Sequence, residues 1–170
     1  MAEHPDFNWD AASFFERLTA TNRLAQQNNF WFCRVSGLDG FEEALESMQI
    51  SLAFVCVSDT SQGYTELHTS PHTRRVKTVY LAMRHAVNDM AAREECLDLL
   101  REIFRQFMSV LILEATKLEE HFVHIDPRIT FNEIEQFFFS GCACASFQVA
   151  IDTYTDLRYN SDEWLPTDKP

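Results

Sequence analysis

Cys142-Ala143-Cys144-Ala145-Ser146-Phe147-Gln148-Val149-Ala150-Ile151-Asp152-Thr153-Tyr154 alternates along its length between two kinds of side chain. Ala143, Ala145, Phe147, Val149 and Ile151 fall on one side, and Ser146, Gln148, Ala150 and Asp152 on the other. Successive side chains of an extended chain point to opposite faces, so this period of two predicts a half-buried antiparallel strand. Such a strand needs partners beside it and a layer over its apolar face.

The layer is found upstream. From Asp89 to Glu120 the residues Ala92, Cys96, Leu99, Leu100, Ile103, Phe104, Phe107, Met108, Leu111 and Ala115 form a wide apolar stripe with helical spacing, uninterrupted by Pro or Gly. About thirty helical residues reach roughly 45 Å, longer than a small domain is wide, so this helix must kink, project or meet a partner. Val110-Leu111-Ile112-Leu113 is apolar around the whole circumference, which predicts burial there on every side by other elements of the domain. A second helix is expected from Trp9 to Asn29, with Ala11, Phe14, Phe15, Leu18, Leu24 and Ala25 on one face, Asn8 or Asp10 as N-cap and Asn28-Asn29 as its stop.

Further strands are read at Phe30–Val35, Ile50–Val57 and Arg75–Arg84, with a short amphipathic helix at Phe41–Met48. Ser58 to Thr73 contains Asp59, Ser61, Gly63, Ser70 and Pro71 and few apolar groups, and it is expected to be a long loop or projecting arm. His121–Ile125 reads as a short strand, and Thr130 or Asn132 as the start of a short helix running through Phe139 to the break at Gly141. The expected fold is one α+β domain over residues 1–170. A mostly antiparallel sheet of about four strands packs against the N-terminal helix and the long central helix, and 155–170 form a polar tail.

A chain of 170 residues with 15 Phe, 3 Trp and 4 Tyr has ample material for one core. Its net charge of −12 disfavours attraction to phosphate backbones, so no specific nucleic-acid binding is expected. Arg74, Arg75, Lys77, Arg84 and His85 are a local exception, read as a solvated face. Five cysteines, odd in number and set in apolar segments, suit free thiols in a reducing compartment. Neither a cleaved leader nor a membrane span is expected from the hydropathy pattern.

His121, His124 and Asp126 invite a metal reading, but on a strand His121 and His124 point to opposite faces, and the single-residue spacing of Cys142 and Cys144 is unlike the usual zinc pair. The two thiols share a side of the strand at a spacing too long for a disulfide, with no cation adjacent in sequence, so they are read as packing groups. A cysteine hydrolase requires His68, His72, His85, His121 or His124 to approach a thiol in space. Acid pairs such as Glu42-Glu43, Glu94-Glu95 and Glu119-Glu120 lie where they solvate an exposed face. With no phosphate loop, nucleophile elbow or dinucleotide fingerprint, no catalytic residue, metal or cofactor is assigned.

The order of helix, strand, strand, long loop, strand, long helix and strand over Asp10 to Tyr154, followed by the polar exit Tyr154 to Trp164, resembles the tail terminators and related head-tail connectors of tailed phages. The resemblance is architectural and no signature motif carries it. It implies a non-enzymatic virion or prophage protein. Its copies would form a ring, usually a hexamer, at the neck or tail, with other virion tail or neck proteins as partners and the bacterial cytoplasm as the place of assembly. An acidic ring wall would keep passing DNA from sticking. Asp59, Tyr64, Leu67, Arg74, Arg75 and Lys77 on or beside the arm, and Tyr159 and Trp164 in the tail, are then the candidate assembly residues. The alternatives are a small cytosolic enzyme or ligand-binding domain with a His/Cys-lined pocket, and an adaptor whose acidic face binds a basic partner.

Overall fold

A computed structural model describes residues 9–47, 52–135 and 141–165. In chain order the elements are α1 (Ala11–Thr21), α2 (Arg23–Gln27), β1 (Phe30–Val35), α3 (Gly37–Ser47), β2 (Ala53–Ser58), β3 (Gln62–Glu66), β4 (His72–Arg84), α4 (Met90–Glu119), β5 (Val123–Ile125), β6 (Thr130–Ile134) and β7 (Cys142–Tyr154). A short 3-10 turn, Ser161–Glu163, lies in the tail.

The alternating segment is β7, with the bounds its pattern gives. It runs antiparallel to β4 over the full length of both, from His72 opposite Tyr154 to Arg84 opposite Cys142, and this pair is the spine of the sheet. On the far side of β4, β2 covers one half and β3 the other; on the far side of β7, β6 and β5 divide the strand likewise. β1 adds to β2 in parallel through the α3 crossover. The sheet therefore has seven strands rather than about four, and it is mixed, since β1 and β2 run parallel while its other pairings are antiparallel.

The period of two sends the odd-numbered residues of β4 and β7 to one face. There Val79, Leu81, Ala143, Ala145, Phe147, Val149 and Ile151 pack against Phe14, Phe15 and Leu18 of α1, Ala25 of α2, and Leu97, Leu100, Ile103, Phe107 and Leu111 of α4. Phe147 is the hub, with ring centroids 5.5 Å from Phe15 and 5.2 Å from Phe104. The other face is covered at one end by α3, where Phe41 and Leu45 bury Phe54, Cys56, Tyr80, Ala82, Cys142 and Cys144. Phe41 stacks on Tyr80 at 4.6 Å.

Four elements differ from the sequence expectation. The N-terminal helix breaks at Asn22, whose backbone is extended and whose side chain accepts from the Ala25 N–H (2.8 Å) and donates to Gln106 on α4 (2.7 Å). The expected loop 58–73 holds β3, and β4 begins at His72; β3 (Gln-Gly-Tyr-Thr-Glu) has too few apolar groups to show an alternation. Thr130–Ile134 is a strand rather than the start of a helix, because Phe131 packs tilted against Phe104 (4.6 Å) and Glu133 binds Arg101 of α4 (2.7 Å); 136–140 lie outside the described residues.

The fourth difference concerns α4. It starts where expected, the Asp89 carboxylate accepting from Ala92 N–H (2.9 Å), and runs thirty residues. Within Val110–Leu113 only Leu111 is buried; Val110 is 37% exposed, Ile112 68% and Leu113 63%. The expectation of burial on every side fails there, since α4 packs on β7, β5 and β4 and, among the described residues, no element covers Ile112 and Leu113. No described helix is long and apolar enough to cross a membrane.

Candidate functional site

The strand alternation divides the basic run. Arg74 faces the side of the sheet not covered by α4, in a row across four strands: Tyr64 on β3, Arg74 on β4, Asp152 on β7 and His124 on β5. Its guanidinium donates to Asp152 Oδ2 (3.2 Å), to Asp126 Oδ2 and to the Tyr64 hydroxyl. The Arg128 backbone N–H (2.9 Å), and after it Arg74, hold the Asp126 carboxyl below its ordinary value. Arg75 and Lys77 point to the opposite face, where Lys77 Nζ donates to the Asp59 carbonyl (2.6 Å) and burial lowers its pKa. Arg84 donates to Cys142 Sγ (3.7 Å) and lies over the Phe54 ring. These cations are distributed among separate ion pairs and packing contacts.

Of the other expected assembly residues, Asp59 directly follows β2, its side chain accepting from the Ser36 hydroxyl (3.1 Å). Tyr64 is about half exposed and meets the His72 ring edge-on, and Leu67 is exposed in the turn that closes β3 onto β4. In the tail, Tyr159 and Trp164 stack on each other at 6.2 Å. Every residue from 156 to 165 is exposed.

Beside the Arg74 row lies an open cleft of about 490 Å³, lined by Ser70, Pro71, His72, Glu119, Phe122, Val123, His124, Asp152 and Tyr154. The volume is in the range of small-molecule sites. His72 Nδ1 is 2.9 Å from the Ser70 carbonyl and His124 Nδ1 is 4.0 Å from Glu119. Phe122 takes a left-handed backbone (φ 58°) in the turn after α4, which leaves its ring 79% exposed. A bulky residue seldom adopts that conformation. The lining of this cleft includes two histidines and no cysteine. Among the described residues no three His, Cys, Asp or Glu groups stand where they could hold a metal ion.

The five cysteines are free thiols. Cys33 and Cys56 are opposite each other on β1 and β2, and under α3 lie Cys56, Cys142 and Cys144. Contrary to the sequence reading, Cys142 does have a cation beside it, Arg84, but burial outweighs it and its pKa is raised. Burial likewise pushes up Cys144 and Cys96. Cys56 is raised by its hydrogen bond with Cys33 and then by burial, and the same bond lowers Cys33.

Four raised thiols give a pH signature. The folded chain keeps them protonated where unfolded thiols ionise, above about pH 8.5, so the folded state binds more protons there and stability falls as pH rises. Stability by urea unfolding is expected to be insensitive to these groups below that pH and to drop above about pH 9, by about 1.4 kcal/mol per pH unit for each thiol kept fully protonated. Cys144→Ala should make the decline shallower by one such increment. An unchanged slope would show that this thiol is not held protonated.

No protein-family model and no curated protein matches this chain.

Proposed function

We propose that this chain is a non-enzymatic structural protein that self-assembles into a ring at the neck or tail of a tailed phage. The observation that carries the proposal is the exposed apolar surface of Val110, Ile112 and Leu113 on α4, which no element among the described residues covers. Burying a Leu or Ile side chain contributes roughly 1.5–3 kcal/mol, so such a surface favours association. The α+β order of elements, with its long helix, is what the likeness to tail terminators and connectors rests on, and the net charge of −12 suits a wall past which DNA slides. The partners are further copies of the chain and neighbouring tail or neck proteins.

Electron microscopy of the purified full chain is expected to show closed annular particles of uniform diameter. A field of single small particles at high concentration would overturn the proposal. The His72–His124 cleft favours a second reading, a ligand-binding domain. Under that reading His72→Ala with His124→Ala abolishes activity or ligand binding; under the ring proposal it leaves the annular particles intact.

A further inference from the structure

Of the five cysteines, only Cys33 and Cys56 are partners in the strand register. Residues paired across two strands point to the same face, and β1 runs parallel to β2 with Cys33 opposite Cys56. Neighbouring strands lie about 4.7–4.9 Å apart, within the roughly 4.4–6.8 Å between α-carbons that a disulfide spans. The side chains already meet, the two thiols sharing a hydrogen bond. The other thiols are placed differently. Cys142 and Cys144 stand two residues apart along β7, and Cys96 lies on α4 with its thiol donating to the Arg84 carbonyl (3.8 Å).

Access separates the two members of the pair. Cys56 is fully buried under α3 in the cluster that holds Phe41, Leu45 and Tyr80, whereas Cys33 is the one cysteine of the five that is not buried. β1 is an edge of the sheet, and along its α3-facing side exposure falls from Trp31 (55%) through Cys33 to Val35 (5%). Cys33 therefore sits at the rim of what α3 covers, partly open to solvent and in contact with Cys56. The hydrogen bond from Cys56 also holds the Cys33 thiol below its ordinary pKa, while burial holds Cys96, Cys142 and Cys144 up. Since the thiolate is the nucleophile, Cys33 is the thiol of this chain best placed to react with a solute.

We infer that Cys33 and Cys56 are a redox-active dithiol, an oxidative modification site at which Cys33 reacts with a hydroperoxide and Cys56 closes the disulfide. The Cys33 thiolate attacks one peroxide oxygen, the O–O bond breaks, and the departing alkoxide takes a proton and leaves as the alcohol, or as water from hydrogen peroxide. Cys33 is then a sulfenic acid. The Cys56 sulfur, already beside it, forms the S–S bond as the S–O bond breaks, and the hydroxide released leaves as water with the Cys56 proton. In sum, two thiols are oxidised by two electrons, and one peroxide is reduced to alcohol and water. The buried partner needs no path to solvent, because the only molecule it attacks is its neighbour on β1. The inference goes beyond the ring proposal and does not depend on it.

The test uses the full chain, reduced and then freed of reductant. An equimolar dose of hydrogen peroxide at neutral pH is expected to link Cys33 to Cys56 within one chain, with Cys96, Cys142 and Cys144 still open to alkylation after denaturation. Peptide mapping by mass spectrometry reads the link, and dithiothreitol should restore both thiols. Cys33→Ser, at the partly exposed position, is expected to slow thiol loss by about tenfold or more, since the thiols it leaves are buried. Cys56→Ala is expected to stop at the Cys33 sulfenic acid, which dimedone traps. Circular dichroism checks the fold of each variant; if Cys56→Ala does not fold, the link mapped in the unaltered chain and the Cys33→Ser rate decide. A disulfide between other cysteines or between two chains, Cys33 oxidised without a link to Cys56, or an unchanged rate in Cys33→Ser overturns the inference.

Discussion

Phe147→Ala is expected to cost about 3–5 kcal/mol, the range for removing a buried aromatic ring from a packed core. Phe147 is fully buried on β7 and its ring meets Phe15 of α1 and Phe104 of α4, so one side chain joins the sheet to both helices of the covered face. Phe131 lies opposite it on β6 and itself packs against Phe104, so the resulting void is bordered by three strands and two helices that cannot all move inward together. Domains of this size are stable by about 5–15 kcal/mol, so the loss takes a large share of the margin. Urea unfolding followed by circular dichroism measures it, and Phe147→Leu should recover much of the difference. A loss below about 1 kcal/mol would mean that the three rings do not share one core.

Gly63→Ala should detach β3 from β4. A Cβ built at Gly63 runs into the Arg74 carbonyl oxygen and comes within 2.7 Å of the Arg74 carbonyl carbon, and both are backbone atoms that cannot turn aside. Gly63 pairs with Arg75, so the collision falls in the middle of the ladder. The consequence is local, because β3 is exposed and contributes nothing to either core cluster. Amide exchange across 62–66 is expected to accelerate by about tenfold or more, and protease cleavage between Thr60 and Ser70 to appear, while protection in β2 and β7 holds. The Tyr64 contact to Arg74 is lost with it. Unchanged exchange in β3 would show that the backbones are not so close.

The spine of the fold was legible in the sequence because its signals are local. β7 is bounded by its alternation, β1 by its aromatic and β-branched composition between Asn29 and Gly37, and α4 by Asp89 and an unbroken stripe, so their limits agree with the structure to within a residue. β3 was not legible: a polar strand exposed on both faces leaves no period in the sequence, and only its pairing with β4 makes it a strand. β6 carried Glu and cap-forming residues that read as helix until Arg101 and Phe104 fixed it in the sheet.

The candidate surfaces were less visible, for a related reason. Sequence showed that Val110–Leu113 is apolar all round but not what lies beside it, and tertiary placement alone shows Ile112 and Leu113 to be open. The run Arg74, Arg75, Lys77 reads in sequence as one solvated face. Alternation sends Arg74 to one face and Arg75 and Lys77 to the other, and the pairing registers then give Arg74 its acids from β7 and the segment after β5. The histidine cleft needed three separated segments to meet, and no spacing signals that.

Assembly is the central claim, and the mass of the full-length protein in solution tests it most directly. Light scattering at increasing concentration is expected to give a mass that rises to one fixed multiple of the 19.8 kDa chain and then stops, as a closed ring requires. A mass of 19.8 kDa at every concentration would contradict self-association, and a mass that grows without limit would contradict closure.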